Sequence, residues 1–130
     1  DFVLELRKGK HIPELELVAE EKGALIGHVM LTGAAIRKGD TATETLLLAP
    51  LCVALKRRNE GIGAALTREA LDRAKTQGHG SVVLIGDPAY YGRFGFRAVP
   101  AITYPGVPPH YTLACELTPG ALSGVAGAIG

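Results

Sequence analysis

Residues 45–86 read TLLLAPLCVALKRRNEGIGAALTREALDRAKTQGHGSVVLIG, and they contain a strand, a helix and a second strand in that order. Residues 45–54 form a near-continuous apolar run, which is typical of a strand buried on both faces. In residues 62–77 the apolar side chains recur at helical spacing, and residues 81–86 are again short and apolar. This order predicts a parallel strand pair joined by a right-handed helical crossover.

Pro50 interrupts the first of these strands. Proline has no N–H to donate to a neighbouring strand, so within a sheet it is confined to edges, bulges and gaps. The sequence therefore predicts a bulge at Pro50, or a gap between this strand and its neighbour.

Upstream of this unit, alternation and turn residues predict a hairpin. Residues 15–20 mostly alternate apolar and polar side chains, and a glycine turn separates them from a second strand at 24–31. Gly39 and Asp40 mark the next turn. Residues 2–8 are predicted to be the end of an amphipathic helix.

Downstream, three further segments follow. Asp87 and Pro88 are expected to start a short helix, because aspartate is a good N-cap and proline suits the first helical position. Residues 111–117 are predicted to be the last strand. The tail at 118–130 is rich in small residues and shows no periodicity.

Composition limits the class of protein. The chain has 130 residues, 47% of them hydrophobic, which suits one compact domain with its own core. Its 14 basic and 13 acidic residues give a net charge of +1, so neither nucleic acid nor an anionic membrane is indicated as a partner. Because the chain starts at Asp1, we expect residues 1–130 to be a single domain that is incomplete at its N-terminus.

The cysteines and the hydropathy indicate the compartment. Cys52 and Cys115 lie in apolar stretches without a C-x-x-C pair, and no Cys/His spacing fits a metal site. We expect two reduced thiols and no bound metal. No signal peptide or membrane-spanning run is visible, which favours a cytoplasmic location.

The turn between the first strand and the helix has the composition of an anion site. A helix N-terminus carries unpaired N–H groups and a partial positive charge. Gly61 and Gly63 would let an anion approach this backbone closely, and the basic run 56–58 adds charge beside it. The turn therefore predicts a site for a diphosphate, with an ordinary glycine-rich connection beside a solvated basic face as the alternative.

Two familiar nucleotide motifs do not fit. A P-loop requires Gly-Lys-Ser/Thr, which is absent from the turn. A dinucleotide-binding fingerprint requires a third glycine, where this chain has Leu66.

Two separated motifs resemble the signatures of the GNAT superfamily of N-acetyltransferases. Val53-x-x-x-x-Arg58-x-x-Gly61-x-Gly63 is similar to the acetyl-CoA signature Q/R-x-x-G-x-G/A, although Leu55 stands where many members have proline. Residues 89–96, AYYGRFGF, are similar to the second signature, in which a tyrosine precedes Gly-Phe by four residues.

The resemblance implies a fold of the α/β (α+β) class. That fold has a mixed, mostly antiparallel sheet with a central parallel βαβ unit, in which the strands at 45–54 and 81–86 splay apart. The family's first strand and first helix are not recognisable in this chain. Pro50 supplies an independent reason for the splay.

The resemblance also implies acetyl-CoA as co-substrate, with its diphosphate on the helix N-terminus and its pantetheine arm in the gap along residues 51–53. The residues expected to hold it are Leu51, Cys52, Val53, Arg57, Arg58, Asn59, Glu60, Gly61, Ile62, Gly63 and Ala64. Backbone N–H near Leu51 or Cys52 would stabilise the oxyanion.

Two residues are candidates for proton transfer. Tyr91 matches the family's general acid, which protonates the departing sulfur; the alternative is a core aromatic whose hydroxyl is merely satisfied. Glu44, at the entry of the central strand, is a candidate general base, with a solvated strand-end carboxylate as the alternative. His110 borders the acceptor site by resemblance, whereas His28 and His79 show no constellation in the sequence.

The expected function is direct transfer of an acetyl group from acetyl-CoA to an amine, carried by a small molecule or a peptide. A homodimer is a possibility that the family suggests. A non-catalytic acyl-CoA-binding or sensing module on the same fold is the alternative, since a fold does not guarantee chemistry. A nucleotide-binding domain is a third interpretation, which predicts that ATP or NAD competes with CoA.

Overall fold

A computed structural model describes residues 2–7, 13–54 and 61–130, with the backbone alone at 13 and 14. Its helices and strands are β1 (Val3–Leu6), β2 (Pro13–Glu21), β3 (Ala24–Lys38), β4 (Thr41–Val53), α1 (Ile62–Thr76), β5 (Ser81–Ile85), α2 (Pro88–Tyr91), β6 (Arg97–Ala98), β7 (Ile102–Thr103), β8 (Thr112–Glu116) and β9 (Gly127–Ile129). Within these ranges, no helix has both the length and the apolar character needed to cross a membrane.

The strands form one mixed sheet in the order β1-β2-β3-β4-β5-β8-β6, with β9 beside β3 and β7. Neighbouring strands are antiparallel, apart from the pairs β4–β5 and β7–β9, which are parallel. The helix α1 connects β4 to β5. The predicted mixed sheet with a central parallel βαβ unit is confirmed.

The parallel strands β4 and β5 separate after a short contact. They pair only at Leu46–Val82 and Leu47–Val83, whereas β4 continues to Val53 along β3 alone. The prediction of splayed strands is therefore confirmed, and the sheet is open between the carboxyl ends of β4 and β5.

A bulge lies where this separation begins. Leu48 pairs with Leu31 and Leu51 pairs with Val29, so the two residues Ala49 and Pro50 face a single position of β3. A proline inside the ladder has no N–H to donate, which favours this irregularity. The prediction made from Pro50 is confirmed.

The helix α1 packs on one face of the sheet. Its buried side chains are Ile62, Leu66, Thr67, Ala70, Leu71 and Ala74. It lies close against β3 at Gly27, where a Cβ would stand 2.9 Å from Leu66 Cδ1 and 3.0 Å from Ile62 Cγ2. The absence of a side chain at Gly27 therefore sets how closely α1 lies on the sheet.

Replacing Gly27 with alanine is expected to destabilise the fold by about 1–3 kcal/mol, because the added methyl forces α1 away from β3. Urea denaturation measures the change. Gly92→Ala is the matched control, since Gly92 has a helical φ of -58° and nothing within 4 Å of the added methyl. Equal stability of the two variants would contradict the close packing at Gly27.

A second apolar cluster covers part of the opposite face of the sheet. Its buried members are Ile36, Val83, Ile102, Ala114, Leu122 and Ile129. Two of these come from residues 118–130, where the sequence indicated no regular element. There β9 pairs with β3 through Ile129–Ile36 and Ala128–Arg37.

Two further predictions require correction. Residues 2–8 were expected to be helical, but Val3–Leu6 is a strand that pairs with β2, because alternate side chains are half-buried as in a strand; residue 8 lies outside the described residues. The strand β4 was also predicted to be buried on both faces, and this is correct near Leu46 and Leu48. Ala49, Pro50 and Cys52 are exposed instead, because β4 no longer pairs with β5 there.

Candidate functional site

At the N-terminus of α1, the described residues supply no hydrogen-bond acceptor for the first backbone N–H groups. Gly61 is its N-cap, with a φ of +81° that glycine adopts without a steric penalty. The first intrahelical bond runs from the Ala65 N–H to the Gly61 carbonyl over 2.9 Å, so the amides of Ile62, Gly63 and Ala64 have no acceptor within the helix. No acidic residue occupies the first turn. The turn therefore suits a negatively charged ligand.

The open end of β4 lies directly beside this turn. A Cβ on Gly63 would stand 3.6 Å from Val53 Cγ2 and 3.9 Å from Leu51 Cδ2. These contacts place Leu51 and Val53 on the α1 face of the sheet and Cys52, between them, on the opposite face. The structure thus brings the predicted residues 51–53 and 61–64 together at the gap between β4 and β5.

Tyr91 is the last residue of α2, the short helix that follows β5 on the other side of the gap. Asp87 caps α2 by accepting the N–H of Ala89 over 2.9 Å, as predicted. The Tyr91 ring packs so closely on Gly86 that a Cβ there would stand 2.6 Å from Tyr91 Cε2, and its centroid is 5.9 Å from that of Phe96. A half-buried, fixed phenol therefore stands beside the opening.

Burial raises the pKa of the Tyr91 phenol above its ordinary value of 10.0, and the neighbouring Tyr90 adds to the rise. The phenol is consequently protonated at neutral pH. It has a proton to donate, which is the property required of a general acid.

Tyr90 reaches the site too. Its hydroxyl lies 3.0 Å from the position that a Cβ on Gly63 would take, and the Arg93 guanidinium stacks on its ring at 4.6 Å. Adjacent residues of a helix point about 100° apart. Sequence alone therefore does not show which of two neighbouring tyrosines faces the α1 turn.

Glu44 is not at this site. It pairs with Ala35 near the beginning of β4 and lines a separate cavity of about 660 Å³ together with Arg37 and His79. At about 3.3 Å per residue, it lies roughly 23 Å along the strand from Leu51. That separation is too large for proton transfer to an amine at the gap, so the prediction of Glu44 as general base does not fit the structure.

The remaining predicted residues are placed as follows. Arg57, Arg58, Asn59 and Glu60 lie outside the described residues. His110 is exposed in a short 3-10 turn, and the next residue, Tyr111, accepts the N–H of Gly86 over 3.0 Å. His110 therefore lies near the carboxyl end of β5.

Residues 7–99 match a family model described as an acetyltransferase (GNAT) domain. The uncharacterized N-acetyltransferase YhbS of Escherichia coli strain K12 is 33% identical over 120 residues, which cover 88% of this chain and 70% of YhbS. YjhQ of the same organism, also named an uncharacterized N-acetyltransferase, is 31% identical over 105 residues, which cover 80% of this chain and 56% of YjhQ.

Solved structures show the same relationship. The crystal structure of YhbS from Escherichia coli in complex with CoA aligns with a TM-score of 0.82 at 32% identity, covering 91% of this chain and 67% of that one. A GNAT family acetyltransferase from Brucella melitensis in complex with acetyl-CoA aligns with a TM-score of 0.68 at 34% identity, covering 83% and 61%. The chain therefore belongs to the GNAT acetyltransferase family.

Proposed function

We propose that this protein transfers the acetyl group of acetyl-CoA to the amine of a small molecule or peptide, by direct attack of the neutral amine on the thioester. The observation that carries the proposal is the opening between β4 and β5 beside the unpaired amides of α1. Acetyl-CoA would place its diphosphate on these amides and its thioester in the adjacent opening. The two similar structures contain CoA and acetyl-CoA, which supports the same ligand for this chain.

Binding in this proposal relies on the backbone. The amides of residues 61–64 receive the diphosphate, with Arg57 and Arg58 beside them in the sequence. The segment at Leu51–Val53 has lost β5 as its neighbour, so its backbone is available to the pantetheine arm. The exposure of β4 after Pro50 thus serves binding instead of packing.

Catalysis in this proposal needs two charges to be stabilised. As the amine attacks, negative charge grows on the carbonyl oxygen, which the backbone N–H of Leu51 receives; the N–H of Cys52 points to β3 instead. It then moves to the departing sulfur, which Tyr91 protonates. The phenol is protonated at neutral pH, and a proton supplied as the C–S bond breaks prevents a free thiolate from having to leave.

An amine panel tests the proposed transfer. The protein is incubated with acetyl-CoA and propylamine, phenethylamine, spermidine, glycinamide or a short peptide with a free N-terminus, and the free thiol of CoA is measured. We expect thiol release that depends on the amine and an N-acetylated product in the mass spectrum. Tight binding of acetyl-CoA without amine-dependent release would instead favour a non-catalytic acyl-CoA-binding module.

A further inference from the structure

The sheet face opposite α1 is open near the splayed end of β4. Cys52 is exposed there, Met30 is half-buried, and 43% of the Ile85 side chain is accessible at the end of β5. The second apolar cluster covers this face further along, around Ile36 and Val83. A ligand on the open part would meet the gap between β4 and β5 from the side away from α1.

His28 projects onto this open face. The Cβ position of Gly27 points at α1, so the next residue of β3 points to the other side of the sheet. His28 is the cross-strand partner of Cys52, and directly opposed residues share a face with their Cβ atoms about 4.5–5.5 Å apart. The imidazole therefore stands beside the strand segment that carries the proposed oxyanion site.

Glu16 holds this imidazole. His28 Nε2 and Glu16 Oε2 are 2.5 Å apart, and about a fifth of each side chain is accessible to solvent (22% and 20%). An ionised carboxylate only accepts hydrogen bonds, so Nε2 carries the proton and Nδ1 keeps the lone pair. A carboxylate in this position also stabilises the imidazolium that forms when the ring takes a second proton.

We propose that His28 is the proton acceptor of the acetyl transfer and that Glu16 is its positioning residue. The inference rests on the proposed acetyl transfer. It gives the role of general base to His28, because Glu44 is too distant for that role. An aliphatic amine, with a pKa near that of lysine at about 10.4, enters as an ammonium ion and must lose a proton before attack. Histidine is the side chain that most often accepts such a proton in enzymes.

The ammonium nitrogen loses two protons during the transfer. His28 accepts the first proton of the ammonium at Nδ1, directly or through one water molecule. The N–C bond then forms, the C–S bond breaks, and the sulfur takes the proton of Tyr91. The second proton that the nitrogen loses passes through water to restore Tyr91, and His28 releases its own proton to solvent.

Other titratable and charged groups share the face of His28. Among the described residues, Glu16 faces it from β2 and Cys52 from β4, and Glu5, Arg7 and Glu20 lie further out on or beside β1 and β2. Of these groups, Glu16 is the one that contacts the imidazole.

His28→Gln tests the assignment with the panel amine that gives the fastest thiol release. Glutamine retains an N–H donor for Glu16 but has no basic nitrogen. We expect kcat to fall at least about tenfold at pH 7 with an unchanged Kd for CoA. Glu16→Gln should also lower kcat without changing the Kd for CoA, because the imidazole loses the carboxylate that positions it, and Glu16→Asp should restore part of the loss.

His79→Gln is the matched control, because His79 lies at the distant cavity beside Glu44. It should leave kcat unchanged. If the wild-type protein is active and His28→Gln keeps its kcat, the assignment of His28 is wrong while the acetyl transfer stands. If the wild-type protein binds acetyl-CoA but consumes no amine, the acetyl transfer and the base are both refuted.

Discussion

Tyr91→Phe is expected to lower kcat by about 10²- to 10⁴-fold at saturating acetyl-CoA, with a nearly unchanged Kd for CoA. The substitution removes only the hydroxyl, and the ring keeps its contacts with Gly86 and Phe96. The loss therefore reports the proton that the phenol gives to the departing sulfur. Thiol release measures kcat, and calorimetric titration with CoA measures the affinity.

The pH profile provides a second test of Tyr91. Burial raises the pKa of this phenol, so any loss of activity caused by its ionisation should begin at a higher pH than for an ordinary tyrosine. The raised pKa also makes the free energy of unfolding depend on pH. The contribution of the neutral phenol is fully present below the unfolded pKa of about 10 and is lost as the pH rises through the folded value.

Two other tyrosine variants complete the comparison. Tyr104→Phe is the control, since Tyr104 packs against the second apolar cluster on the opposite side of the sheet. It should retain full activity. Unchanged kcat in Tyr91→Phe, with a large loss in Tyr90→Phe, would transfer the acid role to the phenol that lies against Gly63.

Gly61→Val is expected to weaken CoA binding by about 100-fold or more. A branched side chain at a φ of +81° is strained, and it would project over the amides that receive the diphosphate. Each charge-assisted hydrogen bond is worth about 1.5–3 kcal/mol, so losing one or two of them accounts for this factor. Calorimetric titration with CoA measures the change in Kd.

The matched control separates backbone strain from loss of binding. Gly120 has a φ of +83° and nothing within 4 Å of an added Cβ, as at Gly61, but it lies in the C-terminal tail. Gly120→Val should therefore destabilise the fold comparably without changing the Kd for CoA. An unchanged Kd in Gly61→Val would show that the diphosphate binds elsewhere.

Local patterns in the sequence were sufficient for the central unit of the fold. The apolar run of β4, the helical spacing of α1 and the cap at Asp87 each act over a few residues, and all three are found where they were predicted. Pro50 predicted the bulge for a similar reason, since a missing N–H disturbs a ladder wherever it falls.

Elements that depend on distant partners were not predicted. Val3–Leu6 and Gly127–Ile129 are short, and each is a strand because a neighbouring strand pairs with it. The contact between Glu16 and His28 depends on the register of β2 and β3, which no motif in the sequence specifies. The prediction of Glu44 as general base does not fit for a related reason. The sequence places Glu44 at the beginning of the central strand, but it does not show how far that end of the strand lies from the gap between β4 and β5.

A crystal structure with acetyl-CoA would show directly where the diphosphate binds. We expect diphosphate oxygens within about 3 Å of the amide nitrogens at the start of α1, with the thioester between Leu51 and Tyr91. A structure in which the protein's own side chains cap those amides, and CoA binds away from the gap between β4 and β5, would contradict it.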